Sequence, residues 1–268
     1  MRPRDAMEGL VNAIRLGAWV CGVILVASAP AFAAPCTVPA TCSEWVNVAQ
    51  SSARLLIYRS FPVAVKNPDV TRALVVIHGA GRDADNYFQH ALAAAFLAGA
   101  LENTVVISPR FASTNNGCAD TVAEHEVTWQ CGGPSRWTSG GAMLPNGPGT
   151  SFDLIDDLLR TLARKDGLQQ RVGYTAKMTD AQLQKQLSSR KTTYLLGGLD
   201  ILPLFGFDDS CAANAQGPPR LARGLAFSRY VGERFGAKHQ VAIVAACGHN
   251  ARCMFGDNVA LPLLFPKQ

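Results

Sequence analysis

Three short segments of this 268-residue chain each follow a predicted strand and carry polar side chains suited to acid–base chemistry. They are residues 78–81 (His-Gly-Ala-Gly), 198–200 (Gly-Leu-Asp) and 247–250 (Cys-Gly-His-Asn). A histidine on a loop beyond a strand can act as a general base, and a carboxylate can fix its tautomer through the second ring nitrogen. The order and spacing therefore predict His249 as a base and Asp200 as the acid that orients it.

The first segment suits a different task. Glycines directly after a buried strand let backbone N–H groups turn towards a developing oxyanion, so the amides of Gly79 and Ala80 are the predicted donors. The alternative is an ordinary strand-to-helix turn in which His78 is buried and hydrogen-bonded. The segment alone does not separate the two interpretations.

A nucleophile is missing from this arrangement. A serine hydrolase of this order carries G-x-S-x-G on a sharp strand-to-helix turn. No Ser, Cys or Asp in the chain has glycine two positions before and two positions after it. Ser139 and Ser151 each have glycine on one side only, and we interpret Ser139 as a loop residue and Ser151 as a helix N-cap.

The elements that must position these residues follow from hydrophobic patterning. Alternating residues predict edge strands within residues 44–65, for example at 54–58. Apolar runs predict strands buried on both faces at 73–77 and 104–108, and later strands at 192–196 and 240–246. Helices are predicted at residues 87–101, 151–165 and 220–235, and a long loop-like stretch at 112–150. Residues 167–186 are polar, and no strand is predicted between the second helix and residue 192, although alternation of strand and helix requires one.

The N-terminus predicts a cleaved secretion signal over residues 1–33, leaving a single domain over residues 34–268. Three arginines precede an apolar run that is short for a membrane span, and Ala31-Phe32-Ala33 has the small-x-small pattern of a cleavage site. A membrane anchor is the alternative. Cleavage removes three Arg, one Asp and one Glu, and lowers the net charge from +5 to +4. The scattered basic residues do not favour nucleic acid as a partner.

The predicted secretion signal implies an oxidising compartment, secreted or periplasmic, in which cysteines commonly pair. Removal of Cys21 leaves seven of the eight cysteines, and three close pairs are disulfide candidates: Cys36 with Cys42, Cys118 with Cys131, and Cys247 with Cys253. Cys211 is then a candidate free thiol. Cys247, His249 and Cys253 also have a spacing that zinc sites use, but a secreted chain more often oxidises such cysteines, so we expect no metal and no cofactor.

Three blocks of the sequence resemble the secreted α/β-hydrolase family, in particular bacterial serine hydrolases. They are residues 78–88 (HGAGRDADNYF), 194–200 (YLLGGLD) and 247–255 (CGHNARCMF). The resemblance covers roughly residues 50–166 and 167–268. It implies an α/β fold with a mostly parallel sheet flanked by helices, and Ser-His-Asp hydrolysis of a small-molecule carboxylic ester or amide.

The departure from the family lies at the 166/167 junction. Such hydrolases place the central strand, the nucleophile elbow and a cap there, so the resemblance implies an internal deletion, and a cysteine lost with it would explain Cys211. We therefore expect hydrolysis to be lost or very weak in this chain. Two alternatives stay open: a non-catalytic secreted binding protein, and a truncated product that does not fold. No membrane association is expected after signal cleavage, and the substrate and oligomeric state are left open.

Overall fold

The computed structural model describes residues 34–48, 52–115, 117–133, 136–144, 149–163, 179–204 and 207–267. The predicted signal segment at 1–33 and the 166/167 junction lie outside these ranges, so both stay predictions. Eight strands and seven α-helices are described. The strands are β1 (Ser43–Asn47), β2 (Arg54–Arg59), β3 (Arg72–Val75), β4 (Thr104–Pro109), β5 (Ala112–Ser113), β6 (Thr128–Trp129), β7 (Thr193–Gly197) and β8 (Gln240–Val244). The helices are α1 (Ala84–Leu97), α2 (Ser151–Ala163), α3 (Asp180–Ser189), α4 (Cys211–Ala215), α5 (Arg220–Phe235), α6 (Ala251–Gly256) and α7 (Leu261–Leu264).

The larger sheet has four strands in the order β1-β2-β4-β3. The β3–β4 pair is parallel, whereas β1–β2 and β2–β4 are antiparallel. Every residue of β4 is buried, as its continuous apolar sequence predicts. Helix α1 packs on β4 and presents Phe88, Leu92 and several alanines to the core.

Two of the predicted strands occupy places different from those expected. Of the edge strands predicted within residues 44–65, β1 does lie at an edge of the sheet. The example at residues 54–58 is wrong, because β2 lies between β1 and β4 and buries Leu55, Leu56 and Ile57. The prediction of a strand buried on both faces at 73–77 is also wrong. Strand β3 ends the sheet and is half-buried or exposed along its length. No strand in the described ranges pairs with the outer edge of β3.

The second sheet consists of β7 and β8, which pair in parallel from Thr193 opposite Gln240 to Gly197 opposite Val244. Helix α5 packs against it and spans the same residues as the helix predicted at 220–235. Among the described residues, no ladder of hydrogen bonds joins this sheet to the larger one. The strand that alternation requires between α2 and β7 is thus not found in the described part of the chain.

The stretch at 112–150 is irregular, as predicted, but it contributes much of one core. It contains the short β5–β6 pair and buries Trp129 and Met143 against the larger sheet. Phe111 stacks on Trp137 with ring centroids 5.0 Å apart and planes 8° apart. A segment that supplies aromatic core residues of this size is held in place by packing.

One local prediction needs correction. Ser151 is not the N-cap of α2, because the helix begins there and its hydroxyl donates to the carbonyl of Trp137 at 2.6 Å. Thr150 and Asp153 cap the helix instead, each side chain accepting a hydrogen bond from the other residue's backbone N–H. The polar sequence before residue 192 contains α3, which begins with a capping box between Thr179 and Gln182.

Candidate active site

Asp200 and His249 lie side by side at the ends of neighbouring strands. Asp200 follows β7 and His249 follows β8, and parallel strands bring their carboxyl ends to one edge of a sheet. His249 Nδ1 lies 3.0 Å from Asp200 Oδ2. Because an ionised carboxylate only accepts hydrogen bonds, Nδ1 carries the proton and the lone pair of a neutral ring sits on Nε2. The His249 side chain is 56% exposed and that of Asp200 13%, so the imidazole is accessible while the carboxylate is largely covered.

Two glycines allow the loops that carry these residues to approach closely. A Cβ on Gly198 would lie 2.6 Å from the carbonyl oxygen of Ala245, and one on Gly197 would lie 2.7 Å from that of Cys247. Atoms do not approach at such distances without displacement of the backbone. The contact is completed by the N–H of Leu199, which donates to the carbonyl of Cys247 at 2.8 Å. The two glycines after the predicted strand are therefore a packing requirement of the acid–base pair.

The loop of His249 is closed by a disulfide between Cys247 and Cys253. Asn250 caps α6, its side-chain oxygen accepting from the N–H of Cys253 at 3.0 Å. The disulfide contradicts the zinc alternative, because the two sulfurs are bonded to each other and offer no thiolate ligand. The other two predicted pairs, Cys36–Cys42 and Cys118–Cys131, are bonded as well.

Arg220 is a residue of this site that sequence reasoning missed. Its Nη1 lies 3.6 Å from Asp200 Oδ1, and the N–H of the next residue, Leu221, donates to the Asp200 carbonyl at 3.1 Å. Arg220 is the first residue of α5, and a positive charge there opposes the helix dipole. An arginine at this unfavourable position indicates that an acidic side chain lies nearby, and this feature of the sequence could have predicted the contact.

The loop at residues 78–81 holds His78 in a structural role. Its Nε2 accepts from the N–H of Phe111 at 2.9 Å, so Nδ1 carries the proton and donates to the carbonyl of Gly79 at 2.8 Å. Burial lowers the pKa of His78, which keeps the ring neutral in this arrangement. The buried, hydrogen-bonded histidine of the alternative interpretation is thus present, and an oxyanion role for Gly79 and Ala80 stays a prediction.

Arg82 anchors the same loop from the other side. It has a positive φ of 57°, donates to the carbonyl of Ala80 at 2.8 Å and forms a two-pronged ion pair with Asp120. Partial burial acts to raise the pKa of Asp120. The hydrogen bonds from Arg82 and Ser113 and the charge of Arg82 outweigh that effect, so the pKa lies below its usual value.

A pocket of about 410 Å³ adjoins the Asp200–His249 pair. Its walls are mainly apolar and combine β7 residues with side chains of α1, α5 and α6, among them Leu195, Leu221, Met254, Phe255 and Tyr87. The Tyr87 side chain also packs on Gly79 of the glycine-rich loop. A Cβ atom added to Gly79 would lie only 3.0 Å from the Tyr87 hydroxyl. Burial raises the pKa of Tyr87.

Among the described residues, no Ser, Thr or Cys lines this pocket. Ser139 lies in a 3-10 turn and accepts from Arg136, and Ser151 is buried at the start of α2. Cys211 begins α4, and its side chain falls outside the described part, so its state as a free thiol is untested. The structure therefore brings together Asp200 and His249, and adds Arg220 and Tyr87 to their surroundings.

Two solved structures share this fold. One is poly(aspartic acid) hydrolase-1 from Sphingomonas sp. KT-1, with 20% identity, a TM-score of 0.54, and coverage of 83% of this chain and 97% of that one. The other is a poly(3-hydroxybutyrate) depolymerase from Bordetella parapertussis, with 18% identity, a TM-score of 0.53, and coverage of 81% of this chain and 85% of that one. The fold is therefore α/β and α/β-hydrolase-like, as the sequence predicted.

No protein-family model matches the chain, and neither does any curated protein. In the ranges that the structure describes, no helix has the length and apolar character needed to cross a membrane.

Proposed function

We propose that this chain is a secreted α/β-hydrolase-type protein that retains the acid–base half of a Ser-His-Asp hydrolase of carboxylic esters or amides. Its own turnover is lost or very weak, because the sequence has no nucleophile elbow. The observation that carries the proposal is the 3.0 Å contact between His249 Nδ1 and Asp200 Oδ2 at the ends of adjacent parallel strands. The hydrolase and depolymerase of like fold support the reaction class, and the three disulfides support an oxidising compartment.

The chemistry assigns a role to each member of the pair. His249 Nε2 would remove the proton of a nucleophile and return it to the leaving group, while Asp200 stabilises the imidazolium formed in between. The amide of Ala80, with that of Gly79, would donate to the oxyanion. Without a serine on an elbow, the base has only water to act on, and a half-exposed imidazole alone gives little rate enhancement.

The test is hydrolysis of p-nitrophenyl butyrate, together with labelling by a fluorophosphonate that reacts with activated serines. His249→Asn is compared with His125→Asn, since the two histidine side chains have similar exposure, 56% and 54%. Asparagine is chosen because His125 has a positive φ of 63°, which asparagine tolerates. We expect no labelled serine, and rates for both variants that differ less than about twofold from wild type. A labelled serine whose modification is lost only in His249→Asn would show that the chain is an active serine hydrolase.

The intact mass of the protein from its own source tests the deletion. A mass that matches residues 34–268 with one free thiol would support the short chain and the unpaired Cys211. A mass several kilodaltons larger with no free thiol would contradict the proposal, because the working protein would then include the elbow segment that this sequence lacks.

The second candidate is a secreted binding protein without turnover, and the apolar pocket beside the pair favours it. An amide with a short alkyl chain suits such a site, since the chain can contact the apolar wall and the amide can reach His249. Calorimetric titration with hexanamide is the measurement. Met254→Trp fills the pocket and is expected to abolish saturable binding, whereas Leu263→Trp, at a 41% exposed leucine outside the pocket lining, is the control. Equal binding by both variants would exclude this pocket as the site.

A further inference from the structure

The Asp200 carboxylate is held on two sides, and only one side belongs to the acid–base pair. Oδ2 faces His249 Nδ1 at 3.0 Å, and Oδ1 faces Arg220 Nη1 at 3.6 Å. We propose that Arg220 is a positioning residue that fixes the rotation of the Asp200 carboxylate and so keeps Oδ2 directed at His249. This inference rests on the proposed function, which gives the Asp200–His249 pair its acid–base role. The contacts of the Asp200 carboxylate do not depend on whether the protein turns over a substrate.

The contact between Arg220 and Asp200 lies away from water. The two side chains are 17% and 13% exposed, and the facing atoms, Nη1 and Oδ1, are both buried. Opposite charges at this distance interact more strongly in such surroundings than at an exposed surface, where ion pairs contribute little. Rotation of the carboxylate away from His249 would therefore separate a buried ion pair as well as break a hydrogen bond.

The guanidinium is itself held in a defined orientation. Its Cζ lies over the Phe207 ring, 5.1 Å from the ring centroid, and Nη2 donates to the carbonyl of Leu204 at 3.5 Å. The start of α5 is tied to the acid loop as well, because the N–H of Leu221 donates to the Asp200 carbonyl. A planar guanidinium can satisfy these contacts together, which a lysine ammonium cannot.

The experiment follows the His249 Nδ1–H proton by NMR in folded protein labelled with ¹⁵N-histidine. A proton hydrogen-bonded to a carboxylate gives a resolved downfield resonance that exchanges slowly with water. In Arg220→Met we expect its exchange to become at least about tenfold faster, because removal of one member of a buried ion pair strongly destabilises the arrangement. Arg220→Lys should fall between wild type and Arg220→Met.

Arg223→Met is the matched control. Arg223 lies on the same helix and over the same Phe207 ring, 4.5 Å from its centroid, but it is not in the ion pair with Asp200. We expect its exchange rate to equal that of wild type. If Arg220→Met does not fold, Arg220→Lys is compared with Arg223→Lys, and only the former should exchange faster.

The outcomes separate the two proposals. Absence of the downfield resonance in folded wild-type protein would contradict the acid–base pair and with it the proposed function. Presence of the resonance in wild type, with unchanged exchange in folded Arg220→Met or, failing that, in Arg220→Lys, would overturn the role of Arg220 and leave the pair intact.

Discussion

The four-stranded sheet and the β7–β8 sheet differ in how they are stabilised. In the four-stranded sheet, every residue of β4 is buried, and Ile107 has no exposed surface. In the two-stranded sheet, β8 leaves Val241 and Ile243 exposed by 39% and 44%. A parallel pair of strands is normally covered on both faces. The second sheet therefore lacks much of the apolar burial that stabilises the first.

The candidate site lies at the end of the second sheet, which is the less buried of the two. We call this sheet, with its loops at residues 197–200 and 245–253, the second region, and the four-stranded sheet with the elements packed on it the first region. What holds Asp200 and His249 together there is a set of short-range contacts: two glycines that permit close backbone approach, a disulfide across six residues, and a capped helix. These contacts set the geometry of the pair locally, and among the described residues neither buried cluster contains a residue of β7 or β8. Local covalent and steric constraints can therefore hold a site together where the adjoining sheet is less buried.

The largest expected effect comes from matched isoleucines in the two sheets. Ile107→Ala should lower the free energy of unfolding by about 2–5 kcal/mol, because it removes a fully buried side chain and leaves a cavity. Ile243→Ala, at a 44% exposed position, should cost less than about 1 kcal/mol. Urea denaturation followed by circular dichroism measures both.

Equal losses of unfolding free energy at the two positions would mean that Ile243 is buried in the working protein. The two sheets would then not differ in apolar burial. Absence of any cooperative transition in wild type would instead favour the truncated, non-folding product. The edges of β3 and β7 that have no partner among the described strands predict aggregation for that product.

The next effect concerns the glycine contact in the second region. Gly198→Ala should destabilise the protein by about 3 kcal/mol, at the upper end for overpacking, because the new Cβ would meet the backbone of Ala245. Gly232→Ala is the control. Its Cβ would have no neighbour closer than 3.6 Å, and alanine inside α5 should stabilise by up to about 1 kcal/mol. A folded Gly198→Ala protein with wild-type stability would show that the two loops do not approach as closely as described.

A third comparison uses two disulfides with the same sequence separation of six, one in each region. Replacement of either pair by alanine should cost about 2 kcal/mol from the loss of loop-closure entropy. Only the removal of Cys247–Cys253 should also weaken the downfield Nδ1–H resonance of His249, because that loop carries the base. Loss of the resonance after removal of Cys36–Cys42, in a protein that remains folded, would show that the two regions are not independent in this respect.

Sequence patterns predicted the parts of the site that depend on local order along the chain. Asp200 and His249 were identified because both follow apolar strands, and parallel pairing then brings the strand ends together. Arg220 was missed because its partner lies 20 residues away and nothing in the helix pattern specifies which acid it meets. The inner position of β2 was missed for a related reason. The residues of a strand do not specify which other strands pair with its two edges. Ser151 was misassigned because the adjacent Thr150 is an equally good cap and has Asp153 at the complementary position.

The smallest expected effect tests how the glycine-rich loop of the first region is anchored. Asp120 has a lowered pKa in the folded protein through Arg82 and Ser113. A carboxyl group with a lowered folded-state pKa contributes stability above its unfolded pKa, near 4, and that contribution is lost as the pH falls through the folded value.

Asp120→Asn should therefore be less stable than wild type at pH 7, and the difference should shrink as the pH falls below about 4. Urea denaturation from pH 7 to pH 3 measures it, with Asp69→Asn on an exposed turn as the control. A difference that stays constant over this range would mean that the ion pair with Arg82 does not stabilise the loop. At pH 7 the neutral His78 ring anchors the same loop through buried hydrogen bonds, so the loop should stay in place in Asp120→Asn at that pH. The first region is thus expected to tolerate loss of this one contact, because both buried clusters lie against its sheet.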